Sequence, residues 1–355
     1  MEVRSLGKSQ ISGLAQTVLG PVDPSTLGMT STHEHIFIDF VCMYTPSTEA
    51  STKHRGEEQV TMENLGWVRY DPFRNIDNLE LLDEDMAIYE IALFGRAGGG
   101  TIVDATTIGI GRDPLGLARV ARATGVNIVM GAGYYVGIVH PDDMDEKSED
   151  EITQEIIEEL TVGVGSTGVK AGIIGELGCT WPLNDNERKV LRAGARAQQE
   201  TGAGILIHPG RNPRAPFEIL DVLEGAGADA GRVVMGHLDR TVLDPDTLLE
   251  FAKRGSMLEY DLFGWETSHY SLGEIDMMHD GQRLDYVQLL IEHGYLSQLV
   301  LAQDVFCKSR TFSFGGYGYG HLIENIVPRM RDRGMPEEQI QQIMVENPAR
   351  ILTFE

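Results

Sequence analysis

The chain has 355 residues, 42% hydrophobic and 23% charged, the composition of a globular protein with a sizeable core and not of a disordered one. Its formal net charge of −25 excludes a protein that coats nucleic acid or an anionic membrane, because both need an attractive field. Three cysteines, Cys42, Cys179 and Cys307, make no disulfide framework and fit a reducing compartment.

No apolar run approaches about 18 residues, and the start MEVRSLGKSQISGLAQ lacks a signal peptide's apolar core. The expectation is a cytoplasmic protein that acts on a small molecule, with no membrane or nucleic-acid partner. A homodimer is compatible with the sequence.

Short apolar runs alternate with helical patterns along the chain. The predicted strands are Gly28–Ile38, Gly100–Thr106, Val126–Ala132, Val169–Leu177, Ala203–His208, Arg232–His237, Ser256–Asp261 and Gln298–Asp304. Between them lie predicted helices over Leu82–Ala97, Asp113–Thr124, Asp150–Val162, Asn184–Thr201, Pro216–Ala226, Asp244–Arg254 and Gly281–His293, with a last one after Gly320. Asp113-Pro114 and Asp244-Pro245 read as an N-cap followed by proline at the first helical position. Gly98, Gly125, Gly202, Gly255 and Gly294 read as C-terminal stops. Val41 to Asn78 has no clear period and reads as a long loop after the first strand. Eight strand–helix units and no linker predict one α/β domain over residues 1–355, a (β/α)8 TIM barrel.

Such barrels carry their chemistry where strands end. The first strand ends in Thr32-His33-Glu34-His35. Two histidines at i and i+2 on a strand project to one side, about 6.5 Å apart, so both reach one metal. The fourth strand ends at Glu176, the fifth at His208, the sixth at His237 and the eighth at Asp304. One histidine at a strand end is usually structural, but six such residues on five strands are not easily explained that way. Imidazole with carboxylate suits Zn, Mn, Fe or Co better than Mg or Ca. Six ligands exceed what one catalytic zinc uses. They suit two divalent ions with a shared carboxylate and a hydroxide held between them.

This set resembles the phosphotriesterase family of the amidohydrolase superfamily. The resemblance rests on Leu27-Gly28-Met29-Thr30-Ser31-Thr32-His33-Glu34-His35, Thr167 to Ile174, Ile207-His208-Pro209-Gly210, Gly236-His237-Leu238-Asp239 and Gln303-Asp304. It implies a binuclear metal centre at the C-terminal end of the strands, with zinc as the first expectation. His33, His35 and Asp304 would hold the inner ion and His208 and His237 the outer one. Glu176 would be shared, and Asp304 would take a proton from the bridging hydroxide; Asp304, Glu176 and His237 are the catalytic candidates. Family members with lactonase or phosphotriesterase activity bridge their metals with a carboxylated lysine, where this sequence has Gly175-Glu176. A glutamate there, with Gly178-Cys179-Thr180-Trp181-Pro182 and Leu258 to Gly264, is similar to the branch associated with hydrolysis of N-acetyltaurine and related N-acyl amino acids. Lys170, six residues earlier, is expected away from the centre. The alternatives are a lactonase or phosphotriesterase on the same centre and a non-catalytic binding protein on the same scaffold.

For the substrate, Tyr135 matches a pocket tyrosine of related lactonases. Arg69, Arg211, Trp265 and Lys308 are further candidates, the three cations as partners of an anionic group. Each is also plausible as an ordinary loop residue. His140, His269, His279 and His321 read as surface residues. Gly315 to Gly320 reads as a flap, since no Lys-Ser/Thr pair comes after it to make a phosphate loop. Cys179 lacks the partners of a nucleophile.

Overall fold

The structure, a computed structural model, describes residues 11–355. Residues 1–10, on which the signal-peptide reading partly falls, lie outside the described residues. Eight strands form one sheet: β1 (Met29–Glu34), β2 (Gly99–Asp104), β3 (Asn127–Ala132), β4 (Ile173–Gly178), β5 (Ile205–His208), β6 (Val233–Met235), β7 (Met257–Tyr260) and β8 (Leu299–Leu301). They lie side by side in chain order, and every pairing between neighbours is parallel. The two outer strands meet: Thr32 Oγ1 donates to Leu301 O at 3.2 Å, and Asp304 N donates to His33 O at 3.0 Å. Helices α1 (Glu84–Arg96), α2 (Pro114–Thr124), α3 (Glu149–Thr161), α4 (Asp185–Thr201), α5 (Ala215–Gly225), α6 (Pro245–Ala252) and α7 (Asp280–Glu292) connect successive strands. Helical segments between residues 322 and 352 come after β8. This is the expected (β/α)8 barrel.

The helix-start signals work as read. Asp113 caps α2 by accepting from Gly116 N, and Asp244 caps α6 by accepting from Thr247 N. The acidic stretch before α3 ends in a capping box between Ser148 and Glu151, which satisfies orphan amides at both positions. Gly125 and Gly202 close α2 and α4 in the left-handed conformation, which costs glycine no Cβ clash.

Two features correct the sequence reading. Val41–Asn78 is not one featureless loop: it contains short helical turns, among them Leu65–Tyr70. Its ends are joined by an antiparallel pair, Ile38↔Leu81 and Asp39↔Glu80. A hairpin of Ala15–Thr17 and Gly20–Val22, too short to show a period, precedes the barrel. Among the described residues no helix is long and apolar enough to cross a membrane.

Side chains alternate along the strands, as the pleat requires. One layer inside the barrel contains Val103, Val129, Ile173, Leu206, Val234, Met257 and Val300, one from each of β2 to β8. Their neighbours Ile102, Ile128, Ile174, Ile205, Met235, Leu258 and Leu301 pack outward in the main core with the helices. Continuing this alternation towards the C-terminal ends turns His208, Glu259, Asp261 and Asp304 inward.

Candidate metal centre

Alternation alone would not place Glu176. Counting from the inward Ile173, it falls on the outward parity. The register against β5 jumps from Ile174↔Ile205 to Leu177↔Ile207, so β4 carries one extra residue there. That bulge re-aims the side chains beyond it. Leu177 packs outward with Ile174, and Glu176 turns into the barrel. Gly175 is required at the bulge: its φ is +107°, and a Cβ there would lie 2.1 Å from Leu206 O. β1 carries a matching irregularity, Ser31↔Ile102 followed by Glu34↔Asp104, at the His33 position.

The result is a buried group of imidazoles around one carboxylate. Glu176 Oε1 lies 3.4 Å from His35 Nε2. Glu176 Oε2 lies 3.3 Å from His33 Nε2, 3.0 Å from His208 Nδ1 and 3.7 Å from His237 Nε2. Asp304 Oδ1 lies 3.3 Å from His35 Nε2. The ligand atoms of His33, His35 and Asp304 gather within 4.8 Å of one another, as do those of Glu176, His208 and His237, and those of His33, His237 and Asp261. Among the described residues, the only non-glycine residues at positive φ are His237 (52°) and Asp304 (50°). Such backbone is disfavoured and clusters at functional sites.

Behind the histidines stands a set of oxygens. His33 Nδ1 meets Glu259 Oε2 at 3.1 Å, His35 Nδ1 meets Thr106 Oγ1 at 2.9 Å, and His237 Nδ1 meets Asp261 Oδ1 at 2.8 Å. Asp261 Oδ2 also accepts from His237 N at 2.7 Å. A carboxylate oxygen accepts from a ring N–H, so the Nδ1 atoms of His33 and His237 donate and their Nε2 atoms face the centre. Asp261 is held well below the ordinary carboxylate range: burial pushes it up, but the charge and hydrogen bond of His237 outweigh that. Burial raises Glu259 to about 7. Glu176 is held well below its ordinary value, because the charges of His33 and His208 outweigh its burial. Asp304 is lowered too, with burial outweighed by the bond from His35 and the charge of His237.

Tyr135 is fully buried, its hydroxyl 3.4 Å from His208 Nδ1. Its ring meets Phe40 at 5.9 Å, and Phe40 meets Phe306 at 5.3 Å. Trp265 continues this aromatic cover, 5.6 Å from Phe306 and 5.8 Å from Tyr270. Arg211 donates from Nε to Tyr270 Oη at 2.6 Å and lies over that ring. Arg69 and Trp265 line a cavity of about 360 Å³ with Arg310, Gln303, Val305 and residues 315–318. None of the six strand-end candidates lines it. Lys308 is engaged elsewhere, 2.6 Å from Asp77 Oδ1. Lys170 stands three residues before β4 and is half-buried.

Of the histidines read as surface residues, His321 is buried and pairs with Asp280 at 2.7 Å. His279 caps α7. Cys179 is buried, and burial raises its thiol well above the ordinary value.

The family model described as the phosphotriesterase family matches residues 13–352. The chain belongs to the phosphotriesterase family. It is 46% identical over 351 residues to an N-acetyltaurine hydrolase of Bos taurus, covering 98% of this chain and 99% of that one. It superposes on a resiniferatoxin-binding protein from Rhodobacter sphaeroides with a TM-score of 0.94, at 36% identity and 98% coverage of both chains. A lactonase from Listeria monocytogenes superposes with a TM-score of 0.78 at 25% identity, covering 96% of this chain and 99% of that one.

The phosphotriesterase family consists of metal-dependent hydrolases, and the residues of this member fit a metal. His33 Nε2 is buried without a hydrogen-bond partner among the described residues, although its Nδ1 is held by a carboxylate. A ring nitrogen fixed by oxygen, with the other aimed at a carboxylate cluster, is the arrangement found behind metal-bound histidines.

Sequence reasoning missed Asp261, Glu34 and Arg240. Asp261 had a signal, since it ends the predicted seventh strand as the other candidates end theirs. Glu34 lies within the first motif and accepts from Gln303 N at 3.0 Å and Val305 N at 2.8 Å. Arg240 had no signal, because nothing in Leu238-Asp239-Arg240-Thr241 tells that its side chain is buried.

Proposed function

We propose that this protein is a binuclear metal-dependent hydrolase that cleaves the amide of N-acetyltaurine and related N-acyl amino acids. One observation carries the reading: chain-long identity of 46% to proteins named for that activity. The geometry accounts for how it would be done. His33, His35 and Asp304 would hold one ion, His208 and His237 the other, and Glu176 both, since each of its oxygens faces a different imidazole. Zinc is the first choice, with Mn, Fe or Co as alternatives. When bound, the ions supply the Lewis acidity that activates water and polarises a carbonyl.

The chain's own groups do the rest. Asp304, ionised at neutral pH, accepts the proton released when water attacks the carbonyl carbon. It returns that proton to the departing nitrogen as the C–N bond breaks, giving a carboxylic acid and an amine, and the acid's proton passes to the amine to leave carboxylate and ammonium. Glu259 and Asp261 keep His33 and His237 aimed at the centre. Tyr135, Phe40 and Phe306 keep bulk water from it. Arg211 would meet the sulfonate or carboxylate at the far end of the substrate. At physiological salt the repulsion of a −25 protein reaches only about 8 Å, so a local guanidinium outweighs it. Arg69 and Trp265 are placed on the neighbouring cavity wall, and the pairing with Asp77 leaves Lys308 the weakest of the cations.

The test is metal removal and return. Chelated protein should not release acetate from N-acetyltaurine, and adding two equivalents of zinc should restore the rate. Full activity in metal-free protein, or at one equivalent or less, would overturn the binuclear reading.

A further inference from the structure

Arg240 lies in the short helical turn Leu238–Thr241 that comes directly after His237, and it is 5% exposed. Three other buried guanidiniums have carboxylate partners. Arg283 pairs with Asp239 at 2.8 Å and with Asp280 at 2.9 Å, Arg112 with Glu159, and Arg232 with Glu355 at 3.0 Å. Arg240 has none among the described residues. It donates to Pro209 O at 3.1 Å and Thr241 Oγ1 at 3.2 Å, and Nη2 sits 3.1 Å from His208 Nε2. Arg211 likewise has no carboxylate partner among the described residues; its side chain donates to the Tyr270 phenol.

The two guanidiniums belong to one neighbourhood, since Arg240 donates to the carbonyl of Pro209, two residues before Arg211. Burial first, and the like charge of Arg211 after it, hold Arg240 below the ordinary arginine value. Both also act on the phenols of Tyr135 and Tyr270. Two buried or half-buried cations without an ion-pair partner are costly; Asp261 acts on Arg240 and Asp304 on Arg211 only from beyond ion-pair distance, and no carboxylate among the described residues pairs with either.

His208 sharpens the point. Its Nδ1 faces Glu176 Oε2 at 3.0 Å and His237 Nε2 at 2.8 Å, so Nδ1 is the nitrogen turned to the metal side. A neutral imidazole that ligates through one nitrogen carries its proton on the other. Nε2–H would then face an Arg240 N–H, donor against donor. An oxyanion bound beside the pair, within reach of both nitrogens, would accept from each and offset part of the positive charge of the two arginines.

We propose that Arg240 and Arg211 form a two-guanidinium pocket for the terminal oxyanion of the substrate, a sulfonate or carboxylate, and set the specificity of the enzyme. This rests on the amidohydrolase reading above for which molecule carries the anion, but not for the pocket itself. A sulfonate suits it best, because three oxygens reach two guanidiniums and the His208 N–H together.

The experiment compares wild type with Arg240→Met, Arg240→Lys and Arg211→Met, all metal-loaded, in two measurements. The first is kcat/KM for N-acetyltaurine and for N-ethylacetamide, the same amide without the sulfonate. The second is calorimetric binding of propane-1-sulfonate, which cannot be hydrolysed. The ratio of the two kcat/KM values should fall about tenfold to a hundredfold in Arg240→Met and in Arg211→Met, as loss of a charge-assisted hydrogen bond implies. Sulfonate binding should weaken in step, and Arg240→Lys should lie between. Equal losses on both substrates with unchanged sulfonate binding would make Arg240 a support for His208 and overturn the proposal. Should Arg240→Met fail to fold, Arg211→Met and Arg240→Lys decide by the same ratio. If wild type ignores N-acetyltaurine yet binds propane-1-sulfonate through these arginines, the pocket stands and the activity reading falls. If wild type hydrolyses N-acetyltaurine but binds no sulfonate, the reverse holds.

Discussion

The amide of Asp304 donates to the carbonyl of His33 at 3.0 Å, so the last strand's candidate ligand hangs from the backbone of the first strand's. Glu34 fixes that junction. Its two oxygens take the amides on either side of Asp304, from Gln303 and Val305, and Ser31 Oγ donates to it at 2.5 Å. Glu34→Gln puts an amino group where one of those amides needs an acceptor. The expected outcome is a folded protein whose metal affinity or kcat/KM drops about 10–100-fold, as for other groups that orient ligands. Metal titration and steady-state kinetics check it; wild-type values in both would show that Asp304 is held by other means.

Glu176→Gln should lose metal and activity together, since a neutral amide cannot serve two cations with two oxygens. Lys170→Ala should keep both, because Lys170 precedes β4 and stands apart from the cluster. Elemental analysis with an activity assay reads both variants. An inactive, folded Lys170→Ala protein would contradict the assignment of the bridge.

Asp304→Asn keeps the shape and removes the proton acceptor. A loss in kcat of about 10²–10⁴ is the range for general-base removal, and the acidic limb of the pH–rate profile should change with it. An unchanged rate and profile would move the role to another group, His237 being next in line.

Asp104 makes stability depend on pH. It is fully buried, its carboxylate accepting from Ile36 N at 2.7 Å and Thr106 N at 3.2 Å. Burial raises it from 3.8 to about 6. The folded state therefore keeps a proton that the unfolded chain gives up first, and stability falls as pH rises through that interval, flattening above it. That difference corresponds to about 3 kcal/mol. Asp104→Asn should lose this slope between about pH 4 and 6 in urea unfolding. Parallel curves for variant and wild type would place the titration elsewhere.

Local physics decides which of these features can be read in a sequence. Polar residues that end an apolar run are visible there, so His33, His35, Glu176, His208, His237 and Asp304 could be named, and their gathering on one buried cluster is what a barrel does with strand ends. The bulge that turns Glu176 inward was not visible, because parity along a strand counts only if the register is regular. Asp261 ends the predicted seventh strand and was as legible as Asp304 at the end of the eighth, but it was passed over between the sixth strand and the eighth. Arg240 and Glu34 depend on which side chains the fold buries, and a charged residue in sequence reads as solvated. Lys308 shows the converse: a cation at the right position was taken by Asp77, 231 residues away in the chain.

The most direct test of the proposed activity is a competition among substrates on zinc-loaded protein, with N-acetyltaurine, a simple lactone and a phosphotriester assayed side by side. N-acetyltaurine is expected to have the highest kcat/KM and to yield acetate and taurine in equal amounts. Rapid turnover of the lactone or the phosphotriester, with N-acetyltaurine left intact, would contradict it.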